Sequence, residues 1–144
     1  MSIPYETATA SDKALVELQR ILGKFGCQAF STGTDAEHGL TIVTFRWRDR
    51  NVRLEASWKG YAQALLVSRY GGRHNVANDQ RCLEQARVSV CSVLRDWVKG
   101  QVTAVECGAL SFEAAFMPHM LLKDGRRVLD HIVSTNLLPG PPNG

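Results

Sequence analysis

From Asp79 to about Val105 the chain repeats apolar residues at helical spacing, through Leu83, Ala86, Val90, Val93, Leu94, Trp97, Val98, Val102 and Val105. A helix of that length presents a broad greasy face, and the rest of the chain must supply a surface large enough to cover it. Gly100 interrupts the pattern at about 1 kcal/mol relative to alanine, so a kink or a close approach is expected there.

The covering surface is legible upstream. Val52, Leu54, Ala56 and Trp58 alternate with Arg53, Glu55 and Ser57, the pattern of a strand buried on one face. Gly39 opens an earlier strand that runs to about Trp47, and Arg48-Asp49-Arg50-Asn51 between the two reads as a tight turn, so they form a hairpin. A short first strand is expected at Cys27–Ser31, followed by a polar loop, Thr32–His38. Ahead of it, Ser11–Phe25 places Leu15, Leu18, Leu22 and Phe25 on one helical stripe beside Ile21. Thr9 or Ser11 can cap that helix and Gly26 can stop it.

Lys59–Leu66 reads as a short helix and Ser68–Asp79 as a mobile loop around Gly71-Gly72. Beyond the long helix, Ser111 caps a short one that Pro118 ends, Asp124-Gly125 turns the chain, and Val128–Val133 forms a last helix. The expected architecture is α+β: a helix, a three-stranded antiparallel sheet, a long helix packed on one sheet face, and a helical C-terminal extension. Residues 1–137 are expected to form a single domain, and Leu138–Gly144, rich in proline and glycine, is expected to be a disordered tail.

With 144 residues, 44% of them hydrophobic, the chain is long enough for a self-sufficient core. Cys27, Cys82, Cys91 and Cys107 form no C-x-x-C pair, and no secretory leader precedes them, so reduced thiols in a cytoplasmic protein are expected. No apolar run approaches the roughly 18 residues of a membrane span.

Charge is distributed unevenly. Arg46, Arg48, Arg50, Arg53, Lys59, Arg69 and Arg73 stand against only Asp49 and Glu55 between residues 46 and 73, although the whole chain carries just +3. Phe45, Trp47, Trp58, Tyr61 and Tyr70 are threaded through the same stretch. Cations among flat rings suit an extended phosphate backbone with unstacked bases. On this reading the seven cations contact phosphates and Trp47, Tyr61 or Tyr70 stack bases, while Phe45 and Trp58 belong to the core. The expectation is a non-enzymatic nucleic-acid-binding protein that engages single-stranded DNA, with homo-oligomerisation adding avidity. The plain alternative is a solvated hairpin whose arginines guard an edge strand. A further one is a protein–protein interaction module that presents its charged face to a host complex.

Catalytic chemistry finds no foothold. The chain has no G-x-S-x-G elbow, no phosphate loop of the G-x-x-x-x-G-K-[ST] type and no G-x-G-x-x-G, and no cofactor is implied. Asp49, Glu55 and Lys59 are the carboxylates and lysine that a metal-dependent nuclease would have to draw together. His119 and His131, with Cys107 or Asp130, lack any ligand spacing, so no metal site is expected.

Along nearly its whole length the chain resembles small uncharacterised proteins encoded by phages and prophages. Val93–Gly108, Ser111–Leu122 and the Lys123-Asp124-Gly125-Arg126 turn carry that resemblance, which implies a mobile-element setting and brings no activity with it. In fold, helix–strand–strand–strand–helix is similar to the double-stranded RNA-binding domain and to the core of phage single-strand annealing proteins. Asp79-Gln80-Arg81-Cys82 stands where the former has its lysine cluster; Arg46–Arg53 occupies the hairpin of the latter.

Overall fold

The computed structural model describes residues 2–140. Helix α1 (Ser11–Phe25) leads into strands β1 (Gln28–Asp35), β2 (Leu40–Trp47) and β3 (Arg50–Ser57). Helices α2 (Trp58–Tyr70) and α3 (Val76–Glu106) follow, then α4 (Phe112–Phe116), a 3-10 turn at Met117–His119 and α5 (Val128–Ser134). The sheet is antiparallel in the order β1-β2-β3, and the architecture is α+β as the sequence implies. Among the described residues, no helix is long and apolar enough to cross a membrane.

Strand alternation sorts the two sheet faces. Val43 and Phe45 on β2, with Val52 and Leu54 on β3, are buried beneath Leu18 and Leu22 of α1 and Ala86, Val90, Leu94, Val98 and Val102 of α3. Phe112, Phe116 and Met120 close the core, with Phe116 meeting both Phe45 and Trp97 edge-on at 5.7 Å. The opposite face, with Ser31, Thr44, Arg46, Arg53 and Glu55, is exposed or half-buried.

Several boundaries differ from the sequence reading, each for a local reason. β1 runs four residues further, to Asp35, because Thr32–Asp35 pair with Val43–Leu40 instead of looping. The hairpin loop is shorter: Trp47 pairs with Arg50, leaving only Arg48 and Asp49 outside the ladder. Arg48 meets that geometry with a positive φ of 53°. At the start of α1, neither Thr9 nor Ser11 caps; Ala10 holds the N-cap position with no side-chain hydrogen bond. Gly26 does end the helix, at φ 105°.

α2 extends to Tyr70, where Gly71 (φ 60°) terminates it, so the expected loop contracts to residues 71–75. Asn75 caps α3 by accepting from the Asn78 N–H at 2.8 Å. α3 continues unbroken through Gly100. Of its expected apolar face, Leu83 (41% exposed) and Val93 (36%) remain substantially in solvent, because the stripe drifts around so long a helix. Ser111 caps α4 as expected, accepting from Ala114 N–H at 3.0 Å. Of the tail 138–144, residues 141–144 lie outside the described residues.

The cysteines are all free thiols. Burial pushes the Cys27 thiol up to about 12 and raises those of Cys82 and Cys91.

Beyond β3 the sheet gains two short rungs. Met120 bridges Val52, the Leu121 N–H donates to the Asn51 carbonyl at 2.8 Å, and Leu121 bridges Arg127 in turn. The β3 edge is thereby covered at Asn51–Val52, while among the described residues β1 has no strand beyond it.

Candidate nucleic-acid interface

The structure divides the expected cations between the two ends of the sheet. Arg46, Arg48 and Arg50 surround the β2–β3 turn, Arg53 sits partway down β3, and Lys59, Arg69 and Arg73 lie beyond its far end. Eight residues of strand separate those ends, roughly 25 Å. The seven therefore do not form one track.

Most of them also have local partners. Arg46 Nη2 donates to Gln28 Oε1 at 3.1 Å, and Arg50 Nε lies 3.5 Å from Glu113. Arg53 Nε is 2.9 Å from Glu55, whose same oxygen lies 3.5 Å from Arg127. Arg127, only 9% exposed, makes a two-pronged contact with Asp130 at 2.9 and 2.8 Å, and this holds the Asp130 carboxyl below its usual range. Arg69 Nη2 donates to the Glu6 carbonyl at 2.8 Å, and the Lys59 stem packs on Gly39. Arg73 is exposed in the loop before α3.

The rings expected to stack bases are partly occupied. Trp47 stacks on Phe112 at 4.3 Å and on Phe25 at 5.6 Å, while the Arg48 guanidinium lies 4.2 Å above its ring. Phe112 and Phe25 thus occupy part of the indole, which is half-buried, and the exposed Arg48 side chain covers more of it. The Tyr61 hydroxyl donates to the Pro4 carbonyl, and Tyr70 packs half-buried against Leu65, Leu66 and Cys82. Trp58 and Phe45 are core, as expected, with Trp58 Nε1 donating to Thr41 Oγ1 at 2.7 Å.

Two further cations join the hairpin end. Because Met120 pairs antiparallel with Val52, residues 120–123 run toward the Arg48–Asp49 turn and set the Lys123–Arg126 turn beside it. A cleft of about 210 Å³ between them is lined by Asp49, Arg50, Glu113, Leu121 and Leu122, among others. Gly125 (φ 87°) makes the second turn possible. Asp124 accepts from the Arg126 N–H at 3.0 Å and from its Nε at 2.9 Å, contacts that lower its carboxyl pKa. Arg46, Arg48, Arg50, Lys123 and Arg126 thus outnumber Asp49, Glu113 and Asp124 at this end. Sequence reasoning took Asp124-Gly125 as a bare turn; its flanking Lys123 and Arg126 were the available signal, but their neighbours depend on a pairing some seventy residues apart.

The nuclease constellation is not assembled. Asp49 is at the tip of the hairpin, whereas Glu55 is engaged by Arg53 and Arg127 further down β3. The histidines are also apart in role: His131 Nδ1 meets Arg126 Nη2 at 2.9 Å, and His119 is packed edge-on to Trp97 at 5.4 Å. Among the described residues, the grouping with metal-ligand geometry is Asp35, Glu37 and His38, in the β1–β2 connection. His38 already bonds Asp35 through its N–H at 3.1 Å and its Nδ1 at 2.7 Å, so the turn itself accounts for that cluster.

Comparison with protein-family models, curated proteins and solved structures finds no match to this chain.

Proposed function

We propose that this is a non-enzymatic nucleic-acid-binding protein of phage or mobile-element origin that grips the phosphate backbone with the hairpin end of its sheet. The observation that carries this reading is the run of Met120–Leu121 along Val52–Asn51, which directs the Lys123–Arg126 turn toward the sheet end that holds Arg46, Arg48 and Arg50. Backbone contact needs only exposed cations held in register, and both turns are short and anchored at each end. A preference for single-stranded DNA rests on the parts of the half-buried Trp47, Tyr61 and Tyr70 that stay in solvent, and comparing the two oligonucleotide forms tests it.

The test is fluorescence anisotropy with labelled single- and double-stranded oligonucleotides at two salt concentrations. Binding should weaken with salt, by ~0.7 in log–log slope per phosphate contact on a single strand and ~0.9 on a duplex. Arg48→Glu with Lys123→Glu should weaken binding by roughly tenfold or more and flatten that slope. Lys59→Glu with Arg73→Glu, at the other end, should leave both nearly unchanged. Absence of binding at low salt sinks the reading.

A second reading, a protein–protein interaction module, is favoured by one observation. Leu129, Val133, Leu137 and Leu138 are exposed by 37%, 63%, 64% and 63%, directly after the basic turn. Apolar side chains beside cations suit an acidic-rimmed protein surface. Binding to no oligonucleotide would favour it.

A further inference from the structure

The two edges of the sheet are treated differently. β3 is met at Asn51–Val52 by Met120 and Leu121, yet among the described residues β1 pairs only with β2. Natural edges are commonly protected by lysine, proline or a covering loop. β1 from Gln28 to Thr34 contains no charged residue and no proline, and its one irregularity is a bulge near Ala29 (φ 55°).

Which backbone groups face outward follows from the ladder. The two-residue hairpin loop makes Trp47 and Arg50 a hydrogen-bonded pair, so odd-numbered residues of β2 bond to β3 and even-numbered ones to β1. The Trp58 N–H donating to the Gly39 carbonyl at 2.8 Å continues the same alternation. Ile42 and Thr44 therefore bond to Gly33 and Ser31, which leaves the N–H and C=O groups of Thr32 and Thr34 pointing away from the sheet.

We propose that this edge pairs with the same edge of a second copy, antiparallel about a two-fold axis at Thr32, to form a continuous six-stranded sheet. In that register Thr32 exchanges hydrogen bonds with its own counterpart, within the regular stretch of β1 that follows the bulge. Ser31 meets Gly33, a small pair on the open face. No like charges are opposed within the segment, because Ser31–Thr34 carries none. A self-complementary strand of this kind is what an isologous interface requires. On the helical side, Leu15 of α1 lines a cleft with Thr32, Gly33 and Thr34, and Asp12 and Arg87 flank it with opposite charges.

Sedimentation velocity of the full chain over a range of concentrations tests this. The wild-type protein should dimerise. Thr32→Pro removes an outward N–H without touching the β1–β2 ladder, and the two-fold doubles the loss, so the dissociation constant should rise roughly tenfold or more. Thr34→Lys, which places a charge at each end of the outward-facing segment, should have the same effect and guards against a folding defect in the proline variant. Thr32→Cys in a Cys107→Ser background should crosslink to itself under mild oxidation, since paired Cα atoms about 5.5 Å apart lie within disulfide reach. A monomer at every concentration, or a dimer that survives both substitutions, overturns the proposal.

Discussion

Arg48 shows how one residue can serve two opposed demands. Its φ of 53° lies in the left-handed region, where a side chain costs about 1–2 kcal/mol. Its guanidinium recovers part of that by lying 4.2 Å over Trp47, a contact worth about 0.5–1 kcal/mol at an exposed site. Arg48→Ala keeps the strain and loses the contact, so chemical denaturation should show a loss of about 0.5–1 kcal/mol. Arg48→Gly relieves the strain while losing the same contact, and stability should change little or rise slightly. Both variants should bind oligonucleotide less tightly. The two changes therefore separate a role in binding from a role in folding. The sequence located the turn and its cations, but Trp47 could be judged free to stack only while Phe25 and Phe112 were unknown neighbours.

At the level of elements, periodicity carried furthest where it was longest. α1, the hairpin and α3 were all legible from spacing, because each buries one face and the face dictates the residue pattern. Composition misled where tertiary pairing overrode it: Thr32–Asp35 reads as a loop, yet lies in β1 because β2 offers it a ladder. Gly100 is the reverse case. A breaker by composition, it sits in the unbroken α3 with nothing within 4 Å of where a Cβ would stand. Gly100→Ala should accordingly stabilise the protein by about 0.5–1 kcal/mol, read as a higher denaturation midpoint at unchanged slope.

The whole molecule converges on the C-terminal segment, where the 3-10 turn, α3 and the edge of β3 meet. His119 is half-buried there, with Nδ1 buried and without a hydrogen-bond partner. Desolvation lowers its pKa below the ordinary 6.5, and the nearby Arg127 pushes the same way against a smaller opposite pull from Glu55. The unfolded chain therefore takes up this proton first as the pH falls. His119 withholds nothing at pH values above its unfolded pKa, and stability declines as pH drops from there toward the folded pKa. His119→Phe keeps an aromatic ring against Trp97 without the titration, so thermal unfolding between about pH 7 and 5 should lose part of its acid slope. The lowered carboxyls of Asp124 and Asp130 act in a separate window, beginning near their ordinary 3.8 and extending below it.

By itself the sequence determined the order of the helices and strands and the main apolar face of α1, the hairpin and α3, because these follow from side-chain spacing within a single element. Only the tertiary structure decided which charges share a surface. Met120 pairing with Val52 brings Lys123 and Arg126 beside Arg48, while the length of β3 carries Lys59, Arg69 and Arg73 away from it. Spacing reports what a residue does within its own element. Proximity between elements depends on a long-range pairing that no local pattern encodes.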